Sequence, residues 1–232
     1  MGRGKSKRKA LQKKKRLAKM KQGKLVPFDL QNSPIKYTGI KNRYCYKTNI
    51  HKLIYKEGQF FNVKYQASNI TMCNFKNARF ENVDFVGCNL KASNFSDAVL
   101  KNVIFTNCNL KCVTFEGCHF ENVYFITTNT RFCEAMPSSG YTILTRYPQI
   151  NIEGIDQLQE ALGGFNLIDD VYKYHVLHVT HKRVNLWNIS ILLDMYGNNI
   201  GRALLAFSKR DKLRHLYTLG SYMNFIACYL KK

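Results

Sequence analysis

Acidic residues are scarce in this chain: 15 Asp and Glu stand against 36 Lys and Arg, which leaves a net charge of +21. Such an excess directs attention to anionic partners. No stretch holds the roughly 18 nearly uncharged apolar residues that a bilayer-spanning helix needs, and the N-terminus lacks the apolar core of a secretory signal. The expectation is a soluble, cytoplasmic protein without a membrane span. No CxxC pair occurs among the eight cysteines, which removes the usual zinc-site spacing. At 232 residues, with 45% hydrophobic content, one or two folded domains are allowed.

What the chain does have is a beat of five. A bulky apolar residue falls at Phe60, Tyr65, Ile70, Phe75, Phe80, Phe85, Leu90, Phe95, Leu100, Phe105, Leu110, Phe115, Phe120 and Phe125. Two positions before each stands a small or β-branched residue, from Gly58 and Val63 through Cys118 and Val123. A period of five fits neither a helix nor a strand, but it suits a chain that turns a corner every fifth residue and closes a four-sided coil. Side chains twenty apart should then stand above one another. Asn42, Asn62, Asn82, Asn102 and Asn122 form one such column, Asn49, Asn69, Asn89, Asn109 and Asn129 a second, and Val63, Val83, Val103 and Val123 a third. The coils run Thr38 to Glu57, Gly58 to Asn77, Ala78 to Asp97, Ala98 to Gly117, and a fraying fifth from Cys118 to Pro137. The Asn columns are expected to hydrogen-bond at corners or along the ladder.

The five-residue units CNFKN from Cys73, CNLKA from Cys88, SNFSD from Ser93 and CNLKC from Cys108 resemble the pentapeptide-repeat family. Its motif is a small residue, Asp or Asn, Leu or Phe, then two variable residues. The resemblance covers residues 38–137 and implies a right-handed four-sided β-helix, with bulky and small positions pointing inward. Some members protect DNA gyrase with an acidic rod that mimics duplex DNA. Residues 50–130 carry eight Lys or Arg against six Asp or Glu, so a topoisomerase-interacting mimic is only an alternative reading. Cys73, Cys88, Cys108 and Cys118 take the small slot as packing residues. Cys88 and Cys108 stack on one face, close enough in principle to bridge, but a reduced pair is expected in the cytosol.

Three regions follow: a basic, largely disordered arm and lead-in over 1–37, the β-helix over 38–137, and a mostly helical domain over 138–232. The arm holds Arg3, Lys5, Lys7, Arg8, Lys9, Lys13, Lys14, Lys15, Arg16, Lys19, Lys21 and Lys24 with no acidic residue. Such a segment cannot bury itself. It reads as a phosphate-neutralising arm for RNA, DNA or a ribosome, against a bland reading as a solubilising or targeting tail. Lys209, Arg210, Lys212 and Arg214 are the next basic cluster. Outward slots of the coil hold Val86, Ile104, Tyr124 and Ile126, with Val99 on the neighbouring face. They are expected to form one apolar patch that the rest of the chain or a protein partner covers.

Beyond the Pro137–Gly140 break, Ile155, Leu158 and Leu162 predict a short helix closed by Gly163 and Gly164. Residues 172–180 read as strand or helix, 186–207 as one or two helices interrupted near Gly197, and a last helix carries Leu213, Leu216, Tyr217 and Tyr222 to Tyr229. His175, His178 and His181 have poor spacing for a metal, and neither a metal nor a cofactor is expected. Asp194, Asn198, Asn199 and Arg202 match no catalytic motif. A capped helix junction explains them, with an enzyme built around Asp194 and Arg202 as the competing class. The reading is therefore a non-enzymatic binding protein.

Overall fold

Backbone φ turns positive at every fifth residue from Asn42 to Thr127, with glycine at only two of these corners, Gly87 and Gly117. The chain is described as a computed structural model covering residues 38–210, 213 and 215–231, together with positions 10, 11, 14, 15 and 18. Each left-handed corner costs a residue with a Cβ about 1 kcal/mol or more, and Asn least, because its short carboxamide can bond locally. This is the reason for the first Asn column: Asn42, Asn62, Asn82, Asn102 and Asn122 all take φ near +50°.

The corners fold the coil into strands that stack in parallel with an offset of twenty. β1 (Gly39–Tyr46), β3 (Gln59–Gln66), β5 (Arg79–Val86), β6 (Val99–Thr106) and β7 (His119–Ile126) each wrap two sides of the square around their central Asn. β2 (Asn49–His51) pairs with β4 (Asn69–Thr71), and single bridges such as Asn89 to Asn109 and Asn94 to Thr114 continue the other two sides. The result is a β-solenoid of about five turns. It runs past Pro137: β8 (Tyr141–Leu144) pairs with β7 at an offset of eighteen, Val123 opposite Tyr141. Gly140 makes this re-entry possible, since it has φ +85° and a Cβ there would lie 2.0 Å from the Phe120 carbonyl.

Inside, the bulky positions stack in columns. Phe75, Phe95 and Phe115 have ring centroids 4.9 and 5.4 Å apart, and Phe85, Phe105 and Phe125 stand 5.0 and 5.1 Å apart. All six rings are buried. Each contributes roughly 1.5–3 kcal/mol of hydrophobic stabilisation. The small slot has its own chemistry, because a hydroxyl or thiol there donates to a carbonyl in the coil below: Ser93 to Ile70 (3.0 Å), Thr128 to Phe105 (2.9 Å), Cys88 to Tyr65 and Cys108 to Phe85 (both 3.3 Å). Cys88 and Cys108 are free thiols.

The C-terminal region is mostly helical: α1 (Leu158–Asn166), α2 (Asp169–Tyr172), a hairpin of β9 (His178–Thr180) and β10 (Arg183–Val184), α3 (Leu186–Tyr196), α4 (Ile200–Ser208) and α5 (Leu219–Leu230). Two details depart from the sequence expectation. Gly163 and Gly164 lie within α1 instead of ending it; at Gly164 α1 packs closely on α4, and a Cβ there would meet Ser208 at 3.3 Å. The last helix starts at Leu219, where the Thr218 hydroxyl accepts the Ser221 N–H. Leu213, Leu216 and Tyr217 precede it.

Candidate nucleic-acid interface and the helical junction

The solenoid offers four faces, identified here by their third-coil residues 78–82, 83–87, 88–92 and 93–97. The 83–87 face is covered. Ile104 and Ile126 are 2% and 1% exposed and belong to the core of the helical region, while Tyr124 packs against that core and Val86 is half-buried. Val99 is half-buried on the neighbouring face.

Two buried charges sit in the same covering contact. Lys64 and Asp84 are register partners on β3 and β5, each 3% exposed. The Lys64 ammonium donates to the Tyr174 carbonyl at 2.7 Å, and Asp84 Oδ2 accepts the Leu219 N–H at 3.1 Å from the first turn of α5. Burial lowers the Lys64 pKa and raises the Asp84 carboxyl to about 6, against the opposing pull of Lys64 and the Leu219 N–H. Among the described residues, Asp84 Oδ1 has no hydrogen-bonding partner, and neither has the buried His175 Nδ1. Both residues line a cavity of about 90 Å³ with Lys64, Asn185, Trp187 and Asn188.

The first Asn column records where α5 docks. Carboxamides bond from coil to coil at Asn62–Asn42 (2.8 Å), Asn102–Asn82 (3.0 Å) and Asn122–Asn102 (3.1 Å). Between Asn62 and Asn82 the chain of bonds is diverted: Asn62 Oδ1 accepts from Thr218 (3.0 Å) and Ser221 (2.6 Å), and its Nδ2 also donates to the His215 carbonyl (2.7 Å). Gly220 lies against Asn82, where a Cβ would come within 2.4 Å of Asn82 Oδ1. Asn82 Nδ2 is left without a partner among the described residues.

The other faces are separated by charge. The 78–82 and 93–97 faces mix signs and form the exposed pairs Arg79–Glu81 (3.9 Å), Lys101–Glu121 (2.7 Å) and Lys76–Asp97 (3.2 Å). Exposed pairs of this kind contribute about 0–1 kcal/mol. The 88–92 face, built from 48–52, 68–72, 88–92, 108–112 and 128–132, contains no acidic residue. Lys52, Lys91, Lys111 and Arg131 are exposed on it, and none forms an ion pair with a described residue.

The remaining sequence candidates fall as follows. Of the twelve arm cations, Lys14 and Lys15 are described and exposed. Arg3, Lys5, Lys7, Arg8, Lys9, Lys13, Arg16, Lys19, Lys21 and Lys24 lie outside the described residues, as does most of the arm expected to be disordered; its described positions 10, 11, 14, 15 and 18 are helical. Lys209 pairs with Glu160 (3.2 Å) and the Arg210 guanidinium stacks 4.6 Å over Phe225, while Lys212 and Arg214 are outside the described residues. The three histidines surround Tyr172. His181 stacks on it at 3.7 Å and bonds Asn166, and His178 is buried. Burial, with neighbouring positive charge, lowers the pKa of His175 and His178. Asp194 and Arg202 are exposed.

Sequence reasoning missed the Lys64–Asp84 junction and the acid-free face. A signal for each existed, because both are columns at spacing twenty. Summing charge over the whole rod concealed the sorting by face.

A family model described as a pentapeptide repeat region matches residues 47–132. Among solved structures, the chain resembles the pentapeptide repeat protein Rfr23 from the cyanobacterium Cyanothece 51142, with 14% identity, 46% of this chain and 87% of that chain covered, and a TM-score of 0.39. It also resembles a trypsin-treated form of QnrB1, described as a plasmid-mediated fluoroquinolone resistance protein, with 13% identity, 47% of this chain and 58% of that chain covered, and a TM-score of 0.40. A second trypsin-treated QnrB1 structure shares 22% identity over 39% of this chain and 56% of that chain, with a TM-score of 0.34. No curated protein matches the chain significantly.

Proposed function

We propose that this pentapeptide-repeat protein is a non-enzymatic nucleic-acid-binding protein, in which the basic arm supplies polyanion affinity and the solenoid a rigid surface. One observation carries the reading: the excess positive charge is gathered where no counter-charge accompanies it. Residues 1–24 hold twelve cations and no acid. The 88–92 face repeats that bias on the rod, whereas the two mixed faces carry acids among their cations and form three ion pairs. A duplex-mimicking rod would need the opposite sign, which is why the topoisomerase-interacting alternative ranks lower. The competing catalytic reading rested on Asp194 and Arg202, and their exposure gives them no enclosed site.

Each phosphate neutralised releases counterions, so affinity for RNA or DNA should fall steeply with salt. Deleting residues 1–24 should weaken binding and flatten that dependence while leaving the thermal unfolding of the solenoid unchanged. An arm-deleted protein that retained both affinity and salt dependence would remove the arm from the reading. A full-length protein that bound neither RNA nor DNA would overturn the function itself.

A further inference from the structure

We infer that the 88–92 face is a track for single-stranded nucleic acid, with Lys91, Lys111 and Arg131 following the phosphates and Phe132 stacking a base. The inference rests on the nucleic-acid reading and goes beyond it, because it assigns a fixed site and a class of strand. The three cations occupy equivalent positions in successive coils and so stand in one line, about 4.8 Å apart. Their backbone is pinned. The carboxamide oxygens of Asn89, Asn109 and Asn129 accept the N–H of Lys91 (3.3 Å), Lys111 (3.1 Å) and Arg131 (3.0 Å). These side chains therefore leave a rigid sheet from set points.

Asn49, Asn69, Asn89 and Asn109 form a second row beside the cations. Their carboxamides bond one to the next, Asn69 to Asn49 (3.4 Å), Asn89 to Asn69 (2.9 Å) and Asn109 to Asn89 (3.1 Å). Each of these donors uses one N–H in the row and has a second for a phosphate or base edge. At the end of the track Phe132 is 60% exposed, next to Arg131 in sequence, with its carbonyl held by the Cys112 N–H at 2.9 Å. A cationic line ending in an exposed aromatic ring is the combination that binds single strands, where phosphates follow the charges and unstacked bases lie on rings. A single strand can adjust its phosphate spacing to the coils. A duplex is stiff and holds its bases in the stack, so it matches neither the single line nor the ring.

The test uses the full-length protein with fluorescently labelled oligothymidylate and a short duplex, read by anisotropy across a salt series. Replacing Lys91, Lys111 and Arg131 together by Ala should reduce the slope of log affinity against log salt for the single strand by about 2, the counterion release of three phosphate contacts. Lys91→Arg with Lys111→Arg should retain it. Phe132→Ala should weaken single-strand binding by roughly five- to a hundredfold and leave duplex binding unchanged. All these side chains are exposed, and circular dichroism melts should coincide. An unchanged slope in the triple variant would overturn the track while leaving the arm reading intact. Equal losses for strand and duplex would overturn the single-strand assignment, and absence of any binding by the full-length protein would overturn both proposals.

Discussion

The buried Asp84 carboxyl makes the stability of the molecule depend on pH in a way that one substitution isolates. In the folded chain its pKa is about 6, against an ordinary value of 3.8, because burial penalises the charge more than Lys64 and the Leu219 N–H favour it. A carboxyl raised on folding binds its proton more tightly in the native state, so the native state gains stability as pH falls from about 6 toward the ordinary carboxyl range. Between about pH 7 and about pH 4.5, linkage sets this gain at about 2 kcal/mol. Asp84→Asn cannot titrate and lacks the gain. His175 and His178 work in the opposite direction: with pKa values lowered on folding, they lose stability as pH falls below the ordinary histidine range. Both proteins contain these histidines, so the difference between wild type and variant largely cancels them. Urea unfolding of both proteins at each pH measures it. Relative to its standing near neutral pH, the wild type should gain about 2 kcal/mol on the variant at the acid end. A difference that stays flat with pH would mean that Asp84 titrates normally, and that the helical region does not desolvate the 83–87 face.

Three further outcomes follow from the packing. Phe105→Ala removes a ring stacked 5.0 Å from Phe85 and 5.1 Å from Phe125, and should lower unfolding stability by roughly 3–5 kcal/mol in a chemical denaturation curve. Gly220→Ala places a Cβ 2.4 Å from Asn82 Oδ1. It should speed amide exchange in α5 while β5 and β6 remain protected, and equal exchange in both proteins would refute the close approach. Ile104→Lys puts a charge into the core of the helical region and should expose that region to limited proteolysis before the solenoid opens, since the inward-facing rings of the coil are untouched.

The solenoid was legible because its information is local and repeated. Phe75, Phe95 and Phe115 announce a column by spacing alone, and any coil that turned elsewhere would expose them. The same periodicity put Asn62 and Asn102 at equivalent corners, where the left-handed backbone favours their side chain. The apolar outward slots at Ile104 and Ile126 could also be read, since a hydrophobic residue in a solvent position calls for a cover. The chain past residue 137 had no such repeat. Helix ends there answer to tertiary contacts, as Gly164 illustrates: glycine favours a helix terminus in isolation, yet here it allows α1 to approach α4.

Sequence by itself therefore determined the period, the inward columns and the sorting of charge among faces, because each depends on residues a fixed distance apart along the chain. Tertiary structure alone decided which elements cover the apolar face, and what becomes of the groups beneath. Asp84 meets Leu219 across 135 positions, Lys64 meets Tyr174 across 110, and Thr218 diverts the Asn62 carboxamide across 156. No periodicity links those residues. They come together only when the helical region buries its apolar side on the rod, and that burial moves the pKa of Asp84 and leaves its Oδ1 without a partner among the described residues.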